Sequence, residues 1–195
     1  MEHMDARSVA LLREILDSTG WVEHTRRLGL ALRATRSPGG LLVVGTPEEE
    51  PWHLTAHLGD EARLAGLPQL APTLVRWAPV PGSPAHLRVG LERIEQARRG
   101  ETLFVVAEEQ APGPLLERVS DARRTGATVL ALDGGDPELE GLAHDALTVP
   151  GQAPISFDGA QHLISMAAGE TDRRPGLRDR LARLLERVSG PHVTD

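Results

Sequence analysis

The chain has 195 residues, a formal net charge of −7, no cysteine and no tyrosine. That length fits one domain with a full core. The missing cysteines exclude disulfides, thiolate metal sites and cysteine nucleophiles.

The acidic balance opposes non-specific nucleic-acid binding, and only two phenylalanines are present to stack on bases. No run of eighteen apolar residues signals a membrane span. Residues 1–16 lack the basic start, unbroken apolar stretch and cleavage site of a secretory signal. The expectation is a soluble cytoplasmic protein with neither nucleic acid nor membrane as partner. All 21 basic residues are arginine. With the abundant Ala, Leu, Gly and Pro, they report coding bias more than phosphate recognition.

Residues 5–18 place Val9, Leu11, Leu12, Ile15 and Leu16 on one helical face. Residues 21–36 form a second helix pattern, so 5–36 reads as a helical hairpin. Leu41–Val44 is apolar throughout, as suits a strand buried on both faces. The loop after it holds Glu48, Glu49 and Glu50. Thr46 and Glu49 have capping-box spacing, Pro47 suits a first helical turn, and acids favour a helix N-terminus. A helix is expected over 52–64, a strand over 72–77, a proline-rich loop, and a helix over 86–98.

The stretch 100–150 organises the rest. It reads as a strand over 102–106, a loop over 107–113, and a helix with Leu115, Leu116, Val119 and Ala122 on one face. A strand over 128–132 follows, then a break at Gly134 and Gly135, then a last strand over 146–149. Strand, helix, strand at this spacing is a parallel unit with a right-handed crossover. A helix over 157–168 comes next. Leu177, Leu181, Leu184, Leu185 and Val188 mark a final amphipathic helix.

The fold class expected is α/β: a three-layer αβα sandwich with a five-stranded parallel sheet. One domain covers 1–195, with N-terminal helices at 5–36, the α/β core at 40–168 and a C-terminal helix at 176–189. Ligands of such sheets bind beyond the carboxyl ends of the strands. The candidate ligand-binding residues are therefore Gly45, Thr46 and Glu48 after the first strand, Glu108, Glu109 and Gly113 after the third, and Asp133 after the fourth.

Three segments carry a family resemblance: RGETLFVV at 99–106, ARRTGATVLALDGG at 122–135 and AHDALTVP at 143–150. In this order the chain resembles the sugar isomerase (SIS) domain, in particular the phosphoheptose isomerase branch, over roughly residues 9–168. The resemblance implies flavodoxin-like strand order, a sugar-phosphate-type ligand and a homo-oligomer, dimer or tetramer. Some members of that branch carry zinc. By resemblance its ligands here would be His57 and Glu61 on the helix after the first loop, with Gln161 and His162 on the late helix. His53 and Asp158 share those helices. Glu61 would then act as the catalytic base, with His162 as a further catalytic group.

The phosphate loops depart from the family. In place of G-N-G-G-S-A the chain has GTPEEEP at 45–51. In place of S-x-S-G-x-[ST] it has AEEQAPG at 107–113. Small hydroxyls, glycines and backbone N–H groups surround a phosphate, whereas carboxylates repel it. The leading expectation is a diverged SIS-like protein that binds a sugar derivative or other small polar ligand and need not be catalytic. No cofactor is expected, with zinc the one candidate. The alternatives are a metal-assisted aldose–ketose phosphate isomerase and a non-catalytic homo-oligomeric interaction or regulatory module.

Overall fold

The apolar runs become five parallel strands: β1 (Leu41–Val44), β2 (Pro72–Val75), β3 (Thr102–Ala107), β4 (Thr128–Asp133) and β5 (Asp145–Thr148). They lie in the order β2-β1-β3-β4-β5, so the expected sheet and strand order hold. The computed structural model describes residues 19–153 and 155–170. The helices expected over 5–18 and 176–189 lie outside the described residues.

Alternation along each strand explains why the runs are apolar throughout. Leu41 and Val43, Phe104 and Val106, and Leu130 and Leu132 face one core. Leu42 and Val44, Leu103 and Val105, and Val129 and Ala131 face another. Burying each large side chain stabilises the fold by roughly 2 kcal/mol.

The first core is covered by α1 (Thr19–Arg33), α2 (Trp52–Ala65) and α6 (Phe157–Ala168). The second lies under α3 (Glu92–Glu95), α4 (Gly113–Arg124) and α5 (Pro137–Leu142). Helices on both faces of a parallel sheet give the three layers. No helix among the described residues is long and apolar enough to cross a membrane.

The structure differs from expectation at four places. The helix expected over 86–98 is a 3₁₀ turn at Ala85–Leu87 followed by the four-residue α3. The intervening backbone is taken by the sheet: the Arg76 N–H donates to the Val89 carbonyl oxygen at 2.9 Å, and Arg76 bridges Gly90 in parallel. That bridge also ends β2 at Val75 rather than 77. The α2 helix begins at Trp52 behind Pro51, so Thr46, Pro47 and the acids precede it. Finally, α5 is a short helix too brief for periodicity to show. Its start is fixed by Asp136, whose Oδ1 accepts from the N–H groups of Glu138 and Leu139.

Candidate functional site

The carboxyl ends of β1, β3 and β4 each lead into a loop, and Glu49 of the first feels the charge of Glu108 in the second and of Asp158 in the first turn of α6. The β1 loop is closed on itself. The Thr46 N–H donates to the Glu49 carbonyl oxygen at 3.1 Å. The Glu49 N–H donates to Thr46 Oγ1 at 3.2 Å. Gly45 makes this possible, because a Cβ there would lie 2.1 Å from the Glu49 carbonyl oxygen. The Gly45 carbonyl oxygen accepts from Trp77 Nε1 at 2.8 Å. Thr46 is buried within this turn. Its hydroxyl and N–H are bonded to the loop itself.

The β3 loop presents Glu108 and Glu109 to solvent and enters α4 at Gly113. A helix N-terminus normally offers free N–H groups to an anion. Here Pro112 and Pro114 have none. The N–H groups of Leu115 and Leu116 both donate to the Pro112 carbonyl oxygen. Gly113 has open space above its Cα, and within 112–114 it is the one residue with an N–H.

The charges are crowded. The pKa of Glu49 is raised, first by loss of hydration and then by the like charges of Glu108 and Asp158. Asp158 stands in the first turn of α6 and accepts from Gln161 Nε2 at 3.2 Å. Three carboxylates from the β1 loop, the β3 loop and α6 thus converge. Glu48 is exposed on the same loop as Glu49. Asp133, by contrast, is fully buried at the end of β4. Strand alternation puts it on the α4 and α5 side, away from α6.

The residues assigned to zinc by resemblance are partly assembled. The rings of His57 and His162 meet edge to face with centroids 4.7 Å apart. Gln161 is engaged with Asp158. Glu61 is buried against Gly169, beyond the last turn of α6. It lies about 13 Å along α2 from Trp52, at 1.5 Å per residue. Among the described residues no group of three or more His, Asp or Glu is placed to hold a metal ion.

One feature of the rim had little signal in the sequence. Arg76, just past β2, holds Glu50 with Nε at 2.9 Å from Oε2. Its guanidinium carbon lies 4.7 Å from the ring centroid of Trp52, which is 40% exposed. A lone arginine after a strand was the only clue. The pairing brings an aromatic face to the edge of the acidic loops.

No family model matches the chain, and no curated protein matches it. Solved structures do. A candidate phosphosugar isomerase from Silicibacter pomeroyi aligns over 94% of this chain with a TM-score of 0.61 and 18% identity. A candidate sugar-binding protein from Salmonella typhimurium aligns over 94% with a TM-score of 0.58 and 17% identity. The sugar isomerase domain of the RpiR transcription factor from Sphaerobacter thermophilus aligns over 93% with a TM-score of 0.52 and 15% identity.

The chain has the fold of a sugar isomerase (SIS) domain.

It spans 54% of each of the first two proteins and 94% of the RpiR domain. As an SIS-type fold it carries its loops where a ligand site is expected, at the reversal of strand order between β1 and β3. What distinguishes this SIS fold is the chemistry of those loops.

Proposed function

We propose that the chain is a sugar-derivative-binding SIS domain whose pocket takes the sugar without a phosphate. The observation that carries this reading is the like charge of Glu108 and Asp158 acting on Glu49, which adds to the rise that loss of hydration causes in its pKa. Carboxylates accept hydrogen bonds from sugar hydroxyls and amines, and charge-assisted bonds of this kind are the strong ones. The same carboxylates repel a phosphate of nearly two negative charges. The closed Thr46–Glu49 turn and the prolines flanking Gly113 support the reading, since both remove N–H donors from the anion position. Trp52 adds an apolar face suited to the C–H side of a sugar ring.

The neighbours named for phosphosugar isomerisation, sugar binding and transcription support a sugar-derived ligand. A binding or regulatory role suits the loops better than phosphosugar isomerisation, because they present carboxylates where a phosphate would sit. A homo-oligomer, dimer or tetramer, belongs to the same proposal.

The test is amide mapping by NMR with neutral and amine-bearing monosaccharides. Shifts concentrated at residues 45–51, 108–113 and 156–161 are expected. Shifts confined to other faces, or none with any of these sugars, would overturn the proposal.

A further inference from the structure

Asp133 ends β4 and has no solvent exposure. Its Oδ1 accepts from the Gly135 N–H at 2.8 Å and the Asp136 N–H at 3.2 Å. Its Oδ2 is buried and has no hydrogen-bond partner. An ionised carboxylate with one bare oxygen is strongly disfavoured in such a place. Protonation removes the charge that burial penalises.

Among the described residues no cation acts on Asp133. Glu140 on α5 is the nearest charge to act on it, and its Oε1 accepts from the Thr148 hydroxyl at 3.1 Å. Thr148 lies opposite Asp133 on β5. From β3 the residue opposite is Ala107. The Asp136 carboxylate is occupied by the N–H groups of Ala111, Glu138 and Leu139. The α4 arginines are engaged elsewhere: Arg118 with Glu95, Arg123 with the carbonyls of Gly141 and Leu142, Arg124 with Asp121. Burial raises the Asp133 pKa and is the largest influence. The Gly135 and Asp136 N–H groups oppose it, Glu140 adds to it, and Thr148 opposes it least, leaving the value raised.

The turn that Asp133 holds is fastened to the loop bearing the acidic site. The Gly134 N–H donates to the Ala107 carbonyl oxygen at 3.1 Å. A Cβ on Gly134 would lie 2.0 Å from the Glu108 carbonyl oxygen, so the two backbones are in contact. Two residues on, Asp136 Oδ2 accepts from the Ala111 N–H at 2.8 Å. The β3 loop is gripped at both ends by residues 134–136.

We infer that the turn held by Asp133 is a pH-sensitive latch. Ionisation leaves a buried charge on Oδ2 that water reaches only when the turn at 134–136 opens, and with it the loop that carries Glu108 and Glu109. The latch itself needs no ligand. Only its effect on affinity rests on the proposed sugar site.

The experiment is carbon-13 NMR of aspartate-labelled protein across pH, with the Asp133 resonance identified by its loss in Asp133→Asn. The Ala111 and Glu108 amides are followed in the same samples. Asp133 is expected to keep its proton above the range of the exposed aspartates, with both amides shifting at the same midpoint. Unfolding adds a second readout. The native state holds a proton that the unfolded chain releases, so stability falls as pH rises from the unfolded toward the folded pKa. The folding constant of the wild type should lose up to about tenfold per pH unit there relative to Asp133→Asn. If that variant does not fold, the wild-type resonance, assigned through its backbone, still decides. Asp133 titrating with the exposed aspartates, or titrating while the Ala111 and Glu108 amides stay still, would overturn the latch. Either result would leave the sugar-binding reading intact, because no ligand is present.

Discussion

Thr46 and Glu49 bond each other twice, N–H to carbonyl oxygen at 3.1 Å and N–H to hydroxyl oxygen at 3.2 Å. A loop that would otherwise offer its backbone to an anion is closed by these two bonds. Thr46→Val keeps the shape and removes the hydroxyl acceptor. It is expected to cost about 1 kcal/mol in urea denaturation. An unchanged midpoint would show that the hydroxyl does not hold the turn.

The crowding of Glu49 with Glu108 and Asp158 has a sign. A raised carboxyl pKa means that folding is favoured at low pH and loses stability as pH rises through the folded value. Glu49→Gln should therefore flatten the decline of stability toward neutral pH. Combined with Glu108→Gln it should strengthen inorganic phosphate binding by on the order of 1 kcal/mol per charge removed at low salt. Calorimetry of the two variants against the wild type measures this. Equal phosphate affinity in all three would show that these carboxylates do not set the preference.

On the far side of the first core, Asp145 ties β5 to α1. His24 Nε2 lies 2.9 Å from Oδ1, and Arg27 Nε donates to Oδ2 at 2.9 Å. Burial pushes the Asp145 pKa up, but the hydrogen bonds from Arg27 and His24 outweigh it and hold the group below its ordinary value. That stability is present above the unfolded pKa and is lost as pH falls through the folded one. Asp145→Asn should cost about 1 kcal/mol at neutral pH and remove that part of the acid-side decline. Denaturation midpoints as a function of pH provide the comparison.

Close packing of α1 on α6 rests on Gly29. A Cβ there would lie 2.8 Å from the backbone carbon of Ala167 and the nitrogen of Ala168. Neither can move without shifting α6. Gly29→Ala is expected to cost about 2 kcal/mol in thermal or chemical unfolding. A neutral outcome would mean that the two helices are less tightly joined.

The sheet was legible because its strands are buried on both faces, so runs such as Leu41–Val44 are apolar without alternation. The region 86–98 misled because Leu87, Leu91 and Ile94 have helical spacing. The backbone there was captured by Arg76, a contact that periodicity cannot show. The positions of Glu108 and Glu109 could be read from strand order alone. The closure of Thr46 on Glu49 could not, since the same spacing also signals a helix cap. The Asp133 environment was equally hidden, because an acid at a strand end looks exposed until the helices above it are placed. Of the residues assigned to zinc by resemblance, His57 and His162 meet, and Glu61 lies against Gly169.

The acidic loops are proposed to select a sugar and reject its phosphate. The most direct measurement is calorimetric titration of the wild type with matched pairs, each monosaccharide or amino sugar beside its phosphate ester, at low and moderate salt. The expected result is tighter binding of the unphosphorylated member, with the gap narrowing as salt screens the carboxylates. Tighter binding of the phosphate esters, lost on Gly113→Pro, would contradict the account.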